Sequence, residues 1–194
     1  MFAYTINDFI ALFLLVWGPE AHSCNILEGL LRLRQICCYP GLVDRRRRAD
    51  SGKLESLKEM IREVVVQRHK ALVFSQFTQM LAVVREWLDG CGIRYEYLDG
   101  KTRNRKGHIE TFQNDDSVKL FLISLKAGGV GLNLTAADYV FLYDPWWNPA
   151  VEVQAIDRTH RIGQKNTVFT YRFITRNSVE EKILSLQERK KGLI

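Results

Sequence analysis

The chain has 194 residues, 46% of them hydrophobic and 26% charged, and its formal net charge is +6. These values are typical of one soluble, compact domain that buries a sizeable core. The positive balance favours a polyanionic partner, although charge alone does not identify nucleic acid. The four cysteines form no CxxC pair and none lies at metal-ligand spacing from a histidine. This argues against a structural zinc site and for a reducing, intracellular compartment.

The first 22 residues contain one apolar run, Phe9–Trp17. A membrane-spanning helix needs about 20 apolar residues, so this run is too short. Asp8 is the only charged residue before it, whereas a signal peptide begins with basic residues. We therefore expect a buried helix or a fragment of an upstream region, and we expect no membrane partner. Four arginines at 45–48 are interpreted as a solvated linker, with a localisation signal or phosphate contacts as alternatives.

Two helices are predicted first, at about 24–38 and 53–67, and both are expected to pack on the edge of a sheet. From Ala71 onward, short apolar runs rich in β-forming residues alternate with segments of helical period. This alternation predicts an α/β fold, in which a parallel sheet carries helices on both faces. The predicted strands are 71–75, 94–98, 119–124, 139–143 and 168–174, and the helices among and after them are 77–89, 102–112, 149–161 and one capped by Ser178.

Ligands of open α/β sheets bind at the carboxyl ends of the strands, so the loops after Ser75, Leu98, Ser124 and Tyr143 form the predicted site. The loop after Leu98 reads DGKT, which is the end of a P-loop motif. Tyr95, however, occupies a position that this motif reserves for glycine, so we reject a P-loop. The lysine and threonine of this loop still suit contacts to a phosphate backbone.

Glycines dominate the loop after Ser124, which reads SLKAGGVGLNLTA at 124–136. Gly128, Gly129 and Gly131 allow the backbone to turn tightly and to approach a ligand closely. Their N–H groups suit a phosphate or a nucleic-acid backbone, although one glycine-rich loop is a weak signal by itself.

The segment QAIDRTHRIGQ at 154–164 places Arg158 and Arg161 three residues apart, on one face of a helix. Two permanently charged, forked donors that point the same way suit a triphosphate, and an arginine stabilises the charge that develops during phosphoryl transfer. The alternative is an exposed basic helix in which Asp157 is the ionic partner.

The segment YDPWWNP at 143–149 places Trp146 and Trp147 side by side between turn-forming residues. Two adjacent indoles are costly to expose. They therefore pack in the core or against a neighbouring domain, or one of them meets a nucleic-acid strand.

Taken in order, these segments resemble the C-terminal lobe of Swi/Snf-type ATPases within helicase superfamily two, and the resemblance covers about residues 26–190. The family is known for ATP-driven tracking along duplex DNA, which remodels chromatin or displaces bound proteins. The matching segments are LLRLRQICCYP at 30–40, SGKLESL at 51–57, LVFSQF at 72–77, YLDGKT at 97–102, LISLKAGGVGLNLTAADYVFLYDPWWNP at 122–149 and QAIDRTHRIGQ at 154–164.

The resemblance implies a RecA-like fold and a role for each matched residue. Arg158 and Arg161 resemble the arginines that reach ATP bound on the other lobe, and Gln154 resembles a support for them. The implied ATP-coupling residues are Gly128, Gly129, Gly131 and Asp157. The implied DNA-binding residues are Gln76, Asp99, Gly100, Lys101, Thr102, Ser124, Lys126, Trp146, Trp147 and Asn148.

The 194 residues contain neither GxxxxGK[ST] nor a DEAH-type motif, both of which belong to the family's first lobe. ATP and Mg²⁺ are therefore expected to be bound mainly by that missing lobe, and the isolated chain is expected to be inactive. The expected partners are the duplex DNA backbone and the first lobe, with nucleosomes or other DNA-bound proteins as candidates. The compact DGKTRNR stretch is more similar to the bacterial members. An intracellular location is implied, in the nucleus for a eukaryotic protein and in the cytoplasm or nucleoid for a bacterial one.

We divide the chain into an unassigned segment at 1–22, a helical region at 23–70, the RecA-like lobe at 71–176 and the start of a brace helix at 177–194. One alternative function is a non-catalytic module, derived from such a lobe, that binds nucleic acid or a partner. Another is an unrelated doubly wound enzyme with a nucleotide cofactor. This second alternative is discounted because SQFTQ, and not a glycine-rich turn, follows the first strand.

Overall fold

A computed structural model describes residues 23–44, 51–127, 134–157 and 167–191. Its contacts divide the chain into two compact units. One unit is formed by the residues up to Leu54 together with those from Ile174 onward, and the other spans Glu55–Phe173.

The unit of residues 55–173 is built on a five-stranded sheet in which every pairing is parallel, in the order β2-β3-β1-β4-β5. This confirms the predicted α/β fold with a parallel sheet. The strands are β1 (Ala71–Ser75), β2 (Tyr95–Leu98), β3 (Leu120–Ser124), β4 (Tyr139–Leu142) and β5 (Phe169–Arg172), and the helices that follow β1, β2 and β4 are α3 (Thr78–Gly90), α4 (Arg105–Asn114) and α5 (Pro149–Ile156).

Burial explains why these sequences form a parallel sheet. β1 and β3 are buried at every residue, as expected for central strands that are covered on both faces, whereas β5 is an edge strand and is exposed at every residue. One cluster of buried side chains joins β1, β2, β3 and β4 to Phe112 of α4 and Ala155 of α5. The helix α3 contacts β1 and β3 and buries a separate set, Met80, Leu81, Val84 and Leu88.

The helix predicted at 102–112 begins three residues later than expected, at Arg105. Asn104 is its N-cap, because the Asn104 side chain accepts a hydrogen bond from Gly107 N at 3.2 Å. The Thr102 hydroxyl does not cap the helix, because it accepts from Asp99 N and donates to the Asp99 carboxylate within the loop that follows β2. By contrast, the helix predicted at 77–89 agrees with α3 to within one residue at each end. Gly92, which follows it, adopts a φ of 66° that favours glycine.

The other unit contains α1 (Ser23–Cys38), a short 3-10 helix (Pro40–Leu42), the first turn of α2 (Gly52–Val66) and α6 (Val179–Lys191), and α1 packs against α6. The prediction that Ser178 caps the last helix is confirmed, because its hydroxyl accepts a hydrogen bond from Glu180 N at 3.1 Å. Burial, reinforced by the charge of Glu180, raises the pKa of the Cys37 thiol to about 11, so this cysteine behaves as a small core side chain.

Lys53 and Glu180 form the most deeply buried ion pair among the described residues of this unit. Lys53 Nζ donates to both carboxylate oxygens, at 2.7 and 2.8 Å, and the two side chains are 6% and 0% exposed. Glu180 also accepts a hydrogen bond from Thr175 N at 2.8 Å. The start of α2 is therefore attached to the start of α6 through a carboxylate whose charge is fully compensated.

In the described part of the chain, no helix is both long and apolar enough to cross a bilayer. The same residues contain no cluster of three or more histidine, cysteine or acidic side chains arranged to hold a metal ion.

Candidate functional site at the carboxyl edge of the sheet

The register of the parallel strands brings the predicted loops to one edge of the sheet. Ser75 at the end of β1 pairs with Ser124 of β3, while Leu98 pairs with Ile123. On the other side of β1, Phe74 pairs with Leu142. The residues that follow these strands therefore lie along a single edge, at the carboxyl ends where α/β proteins bind ligands.

The loop after β2 is held in shape by Asp99. One carboxylate oxygen accepts hydrogen bonds from Lys101 N at 2.8 Å and Thr102 Oγ1 at 3.0 Å, and the other accepts from the Tyr97 hydroxyl at 3.1 Å. Desolvation by itself would raise the pKa of Asp99, but the hydrogen bonds outweigh it and hold this pKa below its usual value. Burial and the Asp99 charge raise the pKa of Tyr97 to about 12, so Tyr97 remains a donor.

The backbone of this loop is held from within at Lys101, whose side chain is exposed to solvent. Arg105 connects the loop to its neighbour, since its guanidinium lies 3.4 Å from Thr102 O and 3.4 Å from Ala127 O. Exposed cations lie on either side of this connection, namely Lys101, Arg103, Lys106 and Lys126. We call these four residues the basic edge. Gly100, immediately before Lys101, is also exposed, and Ser124 is buried at the end of β3.

The ends of β1 and β4 are joined by Asp144, which is buried. Its carboxylate accepts hydrogen bonds from Ser75 Oγ at 2.5 Å and from Gln76 N at 3.1 Å. Ser75 Oγ in turn accepts from Phe77 N at 3.1 Å, which fixes the chain as it enters α3. No hydrogen-bond acceptor within the described residues reaches the buried Nε2 of Gln76.

The two neighbouring tryptophans have different surroundings. Trp146 is partly buried and packs against the core cluster, whereas Trp147 is 42% exposed. Asn148 is also exposed, and its side chain accepts a hydrogen bond from Ala150 N at 3.1 Å, so it caps α5. Of the two indoles, Trp147 is therefore the more accessible from solvent.

Glu152 is a residue that the sequence analysis missed. It is 1% exposed, its Oε1 accepts a hydrogen bond from Trp146 N at 2.8 Å, and its Oε2 lies 2.7 Å from Arg172 Nη2. Asp144 was likewise interpreted only as a turn former. The available signal for Glu152 was a single charged residue in an otherwise uncharged helix, PAVEVQAI.

The sequence model of the helicase conserved C-terminal domain matches residues 52–163. A protein of Mycoplasma pneumoniae described as an ATP-dependent helicase is 41% identical over 181 residues, which is 90% of this chain and 17% of that protein. DNA repair protein rad8 of Schizosaccharomyces pombe is 46% identical over 74% of this chain and 13% of its own length. The solved structure of the C-terminal part of the Fun30 ATPase domain superposes with a TM-score of 0.68 at 30% identity, covering 93% of this chain and 64% of that one.

The chain belongs to the Swi/Snf-type helicase C-terminal domains. The resemblance seen in the sequence is thus confirmed, and so is the RecA-like fold that it implied. A chromatin-remodeling ATPase, INO80 of Emericella nidulans, is a further relative, at 44% identity over 72% of this chain and 9% of its own length. This Swi/Snf-type domain spans less than a fifth of each of the three full-length relatives. In relatives of this kind the domain is therefore one part of a larger protein.

The predicted nucleotide-facing residues of this Swi/Snf-type domain are only partly visible. Gln154 and Asp157 are exposed, at the end of α5 and just after it. Arg158 and Arg161 lie outside the described residues, and so do Gly128, Gly129 and Gly131. The roles assigned to these five residues remain predictions.

Proposed function

We propose that this chain is the C-terminal lobe of an ATP-driven DNA translocase that acts on chromatin or on other protein–DNA complexes. The observation that carries the proposal is the basic edge, whose cations lie beside a loop that is already held in shape at the carboxyl ends of the strands. Phosphate contacts of this kind supply affinity without sequence preference, as a translocase requires.

Two further observations support a ligand at this edge. The unsatisfied amide of Gln76 is costly while it stays buried, so an acceptor on DNA or on the first lobe would stabilise it. Trp147 offers an exposed indole in the loop after β4, and indoles stack on bases or pack against sugars. Duplex DNA would thus contact the loops after β1, β2, β3 and β4.

The nucleotide would be held mainly by the first lobe, together with Mg²⁺. From this chain, Arg158 and Arg161 would supply positive charge at the γ-phosphate when the lobes close, with Gln154 beside them. The exposed position of Gln154 and Asp157 at the end of α5 is compatible with that role. Closure would carry this lobe along one DNA strand, and hydrolysis would reset it. We place the enzyme inside the cell, in the nucleus or nucleoid according to the organism.

The decisive test compares the complete two-lobe enzyme with the isolated 194-residue chain in a hydrolysis assay at millimolar ATP, with and without duplex DNA. We expect DNA-stimulated turnover from the complete enzyme and none from the isolated chain. A complete enzyme that neither hydrolyses ATP nor responds to DNA would favour the alternative of a non-catalytic binding module. DNA-stimulated turnover by the isolated chain would contradict the proposal that this chain supplies only part of the ATPase site.

Removing a cation from the basic edge is expected to weaken DNA binding without changing sequence preference. Lys101→Ala and Lys126→Ala should each lower the slope of log affinity against log salt by about 0.9, because each lysine neutralises about one phosphate. Fluorescence anisotropy at several salt concentrations measures this. Lys119 precedes β3 at the opposite edge of the sheet and donates to Arg68 O, so Lys119→Ala is the matched control. If the slope of log affinity against log salt were equal for all three variants, the proposal that DNA binds at the basic edge would be wrong.

A further inference from the structure

A buried carboxylate must be compensated, and Glu152 is compensated from two different elements. Trp146 N donates to it from the loop after β4, and the Arg172 guanidinium approaches it from the end of β5. Glu152 itself is 1% exposed, whereas the Arg172 side chain is 38% exposed, so the pair opens to solvent on the arginine side. Burying a carboxylate costs several kcal/mol unless such partners are present, so the position of Glu152 is strongly specified.

The start of α5 does not require this arrangement. Asn148 already caps the helix, and Pro149 occupies its first turn, where proline is well tolerated. A carboxylate near a helix N-terminus also interacts favourably with the helix dipole when it stays in solvent. The burial of Glu152 therefore does something other than initiating the helix.

The contacts of Glu152 join the two sides of the proposed site. Its backbone belongs to α5, whose far end carries Gln154 and Asp157 and leads into the segment of Arg158 and Arg161. Its side chain holds the backbone immediately before Trp147, the exposed indole. The loop that faces DNA and the helix that faces ATP are thus connected through one carboxylate, and Arg172 holds that carboxylate in place.

We propose that Glu152 and Arg172 are positioning residues that couple DNA binding to ATP hydrolysis, by making α5 and the loop at 143–148, which we call the tryptophan loop, move as one piece. This inference rests on the proposed function and deepens it. Neither residue contacts the reacting atoms. Loosening their contacts lowers the turnover that DNA stimulates, and it leaves the DNA-independent turnover and the KM for ATP unchanged.

The activity test uses the complete two-lobe enzyme. Glu152→Ala is expected to lower the DNA-stimulated kcat at least tenfold, while the DNA-independent rate and the KM for ATP stay within about twofold of the parent. Arg172→Gln leaves an uncompensated buried charge and should lose a similar factor. Glu152→Gln/Arg172→Gln removes both charges and keeps an acceptor for Trp146 N, so it should recover part of the loss. Glu86→Ala removes an exposed carboxylate from α3 and is the neutral control.

A second measurement does not depend on activity. In the parent, the Trp146 amide is hydrogen-bonded to a buried carboxylate, so we expect its hydrogen exchange to be slow. We expect Glu152→Ala to speed exchange in a peptide that covers 143–152 at least tenfold, and to leave a peptide that covers α4 unchanged. If Glu152→Ala does not fold, Arg172→Gln is measured in the same two ways.

The outcomes separate this inference from the proposed function. If the parent enzyme shows no DNA-stimulated hydrolysis, the proposed function is wrong. The coupling role is then wrong too, even if the hydrogen-exchange result is as expected. If DNA stimulates the parent enzyme and the folded variants keep a DNA-stimulated kcat within twofold of the parent value, only the coupling role is wrong. The same holds if the stimulated and unstimulated rates fall together, because the pair would then serve stability only.

Discussion

Replacing Arg161 by alanine in the complete two-lobe enzyme is expected to lower DNA-stimulated ATP turnover by about 10³-fold or more. An arginine supplied to the γ-phosphate by a second domain is worth about 10³–10⁵ in rate in other phosphoryl-transfer enzymes. The loss should fall on kcat, because the guanidinium stabilises charge that develops only as the phosphoryl group is transferred. Arg158→Ala should show a loss of the same kind.

Steady-state kinetics at saturating DNA, combined with a DNA-binding measurement, checks this prediction. DNA affinity should stay within a few-fold of the parent, because neither arginine is assigned to the DNA side of the site. Arg176 is exposed and lies outside the segment 154–164, so Arg176→Ala is the control with unchanged kinetics. If Arg161→Ala retained turnover within tenfold of the parent, the assignment of the arginine pair to ATP would be wrong.

Removing the amine of Lys53 is expected to cause the largest loss of stability of any single change discussed for this chain. Lys53→Met leaves the carboxylate of Glu180 buried without a counter-charge, and breaking a buried ion pair from one side costs about 3–5 kcal/mol. The Thr175 N–H remains its hydrogen-bond donor but does not neutralise it. Lys53→Met/Glu180→Gln should recover part of this loss, because the glutamine keeps an acceptor for Thr175 N and carries no charge.

Urea unfolding of the parent and the variants measures these differences in the free energy of unfolding. Lys58→Met is the matched control, because Lys58 lies on the same helix and pairs at 2.7 Å with Glu55, whose side chain is 45% exposed. A solvent-exposed pair contributes about 0–1 kcal/mol, so this variant should lose little. Equal losses from Lys53→Met and Lys58→Met would show that burial of the first pair does not matter.

The parallel sheet could be predicted because each of its strands and helices is recognisable from the pattern of neighbouring residues. The runs at 71–75 and 119–124 are continuous and apolar, which is typical of strands covered on both faces. Segments of helical period separate the strands, and a helix between two strands returns the chain to the end of the sheet where the first strand began, so the next strand runs parallel to it. Once the strands are parallel, the loops after Ser75, Leu98 and Ser124 must share one edge. The location of the candidate site therefore follows from the order of the elements.

The partners of individual polar side chains could not be predicted in this way. Asp144 and Gln76 are 68 residues apart in the chain, and Lys53 and Glu180 are 127 apart. No local pattern distinguishes a carboxylate that will be buried beside a distant donor from one that will remain in solvent. For the same reason, the sequence did not decide which tryptophan is buried. In the structure, Trp146 packs against the core and Trp147 is exposed.

The sequence by itself thus determined the fold class, the family and the edge of the sheet where we propose that ligands bind, because periodicity and motif order are properties of neighbouring residues. Only the tertiary structure decided which carboxylates are buried and what they join. Asp144 connects β1 to β4, and Glu152 connects the tryptophan loop to α5 and β5. Burial depends on which distant segments meet, and a buried charge is stable only where that meeting supplies its partner.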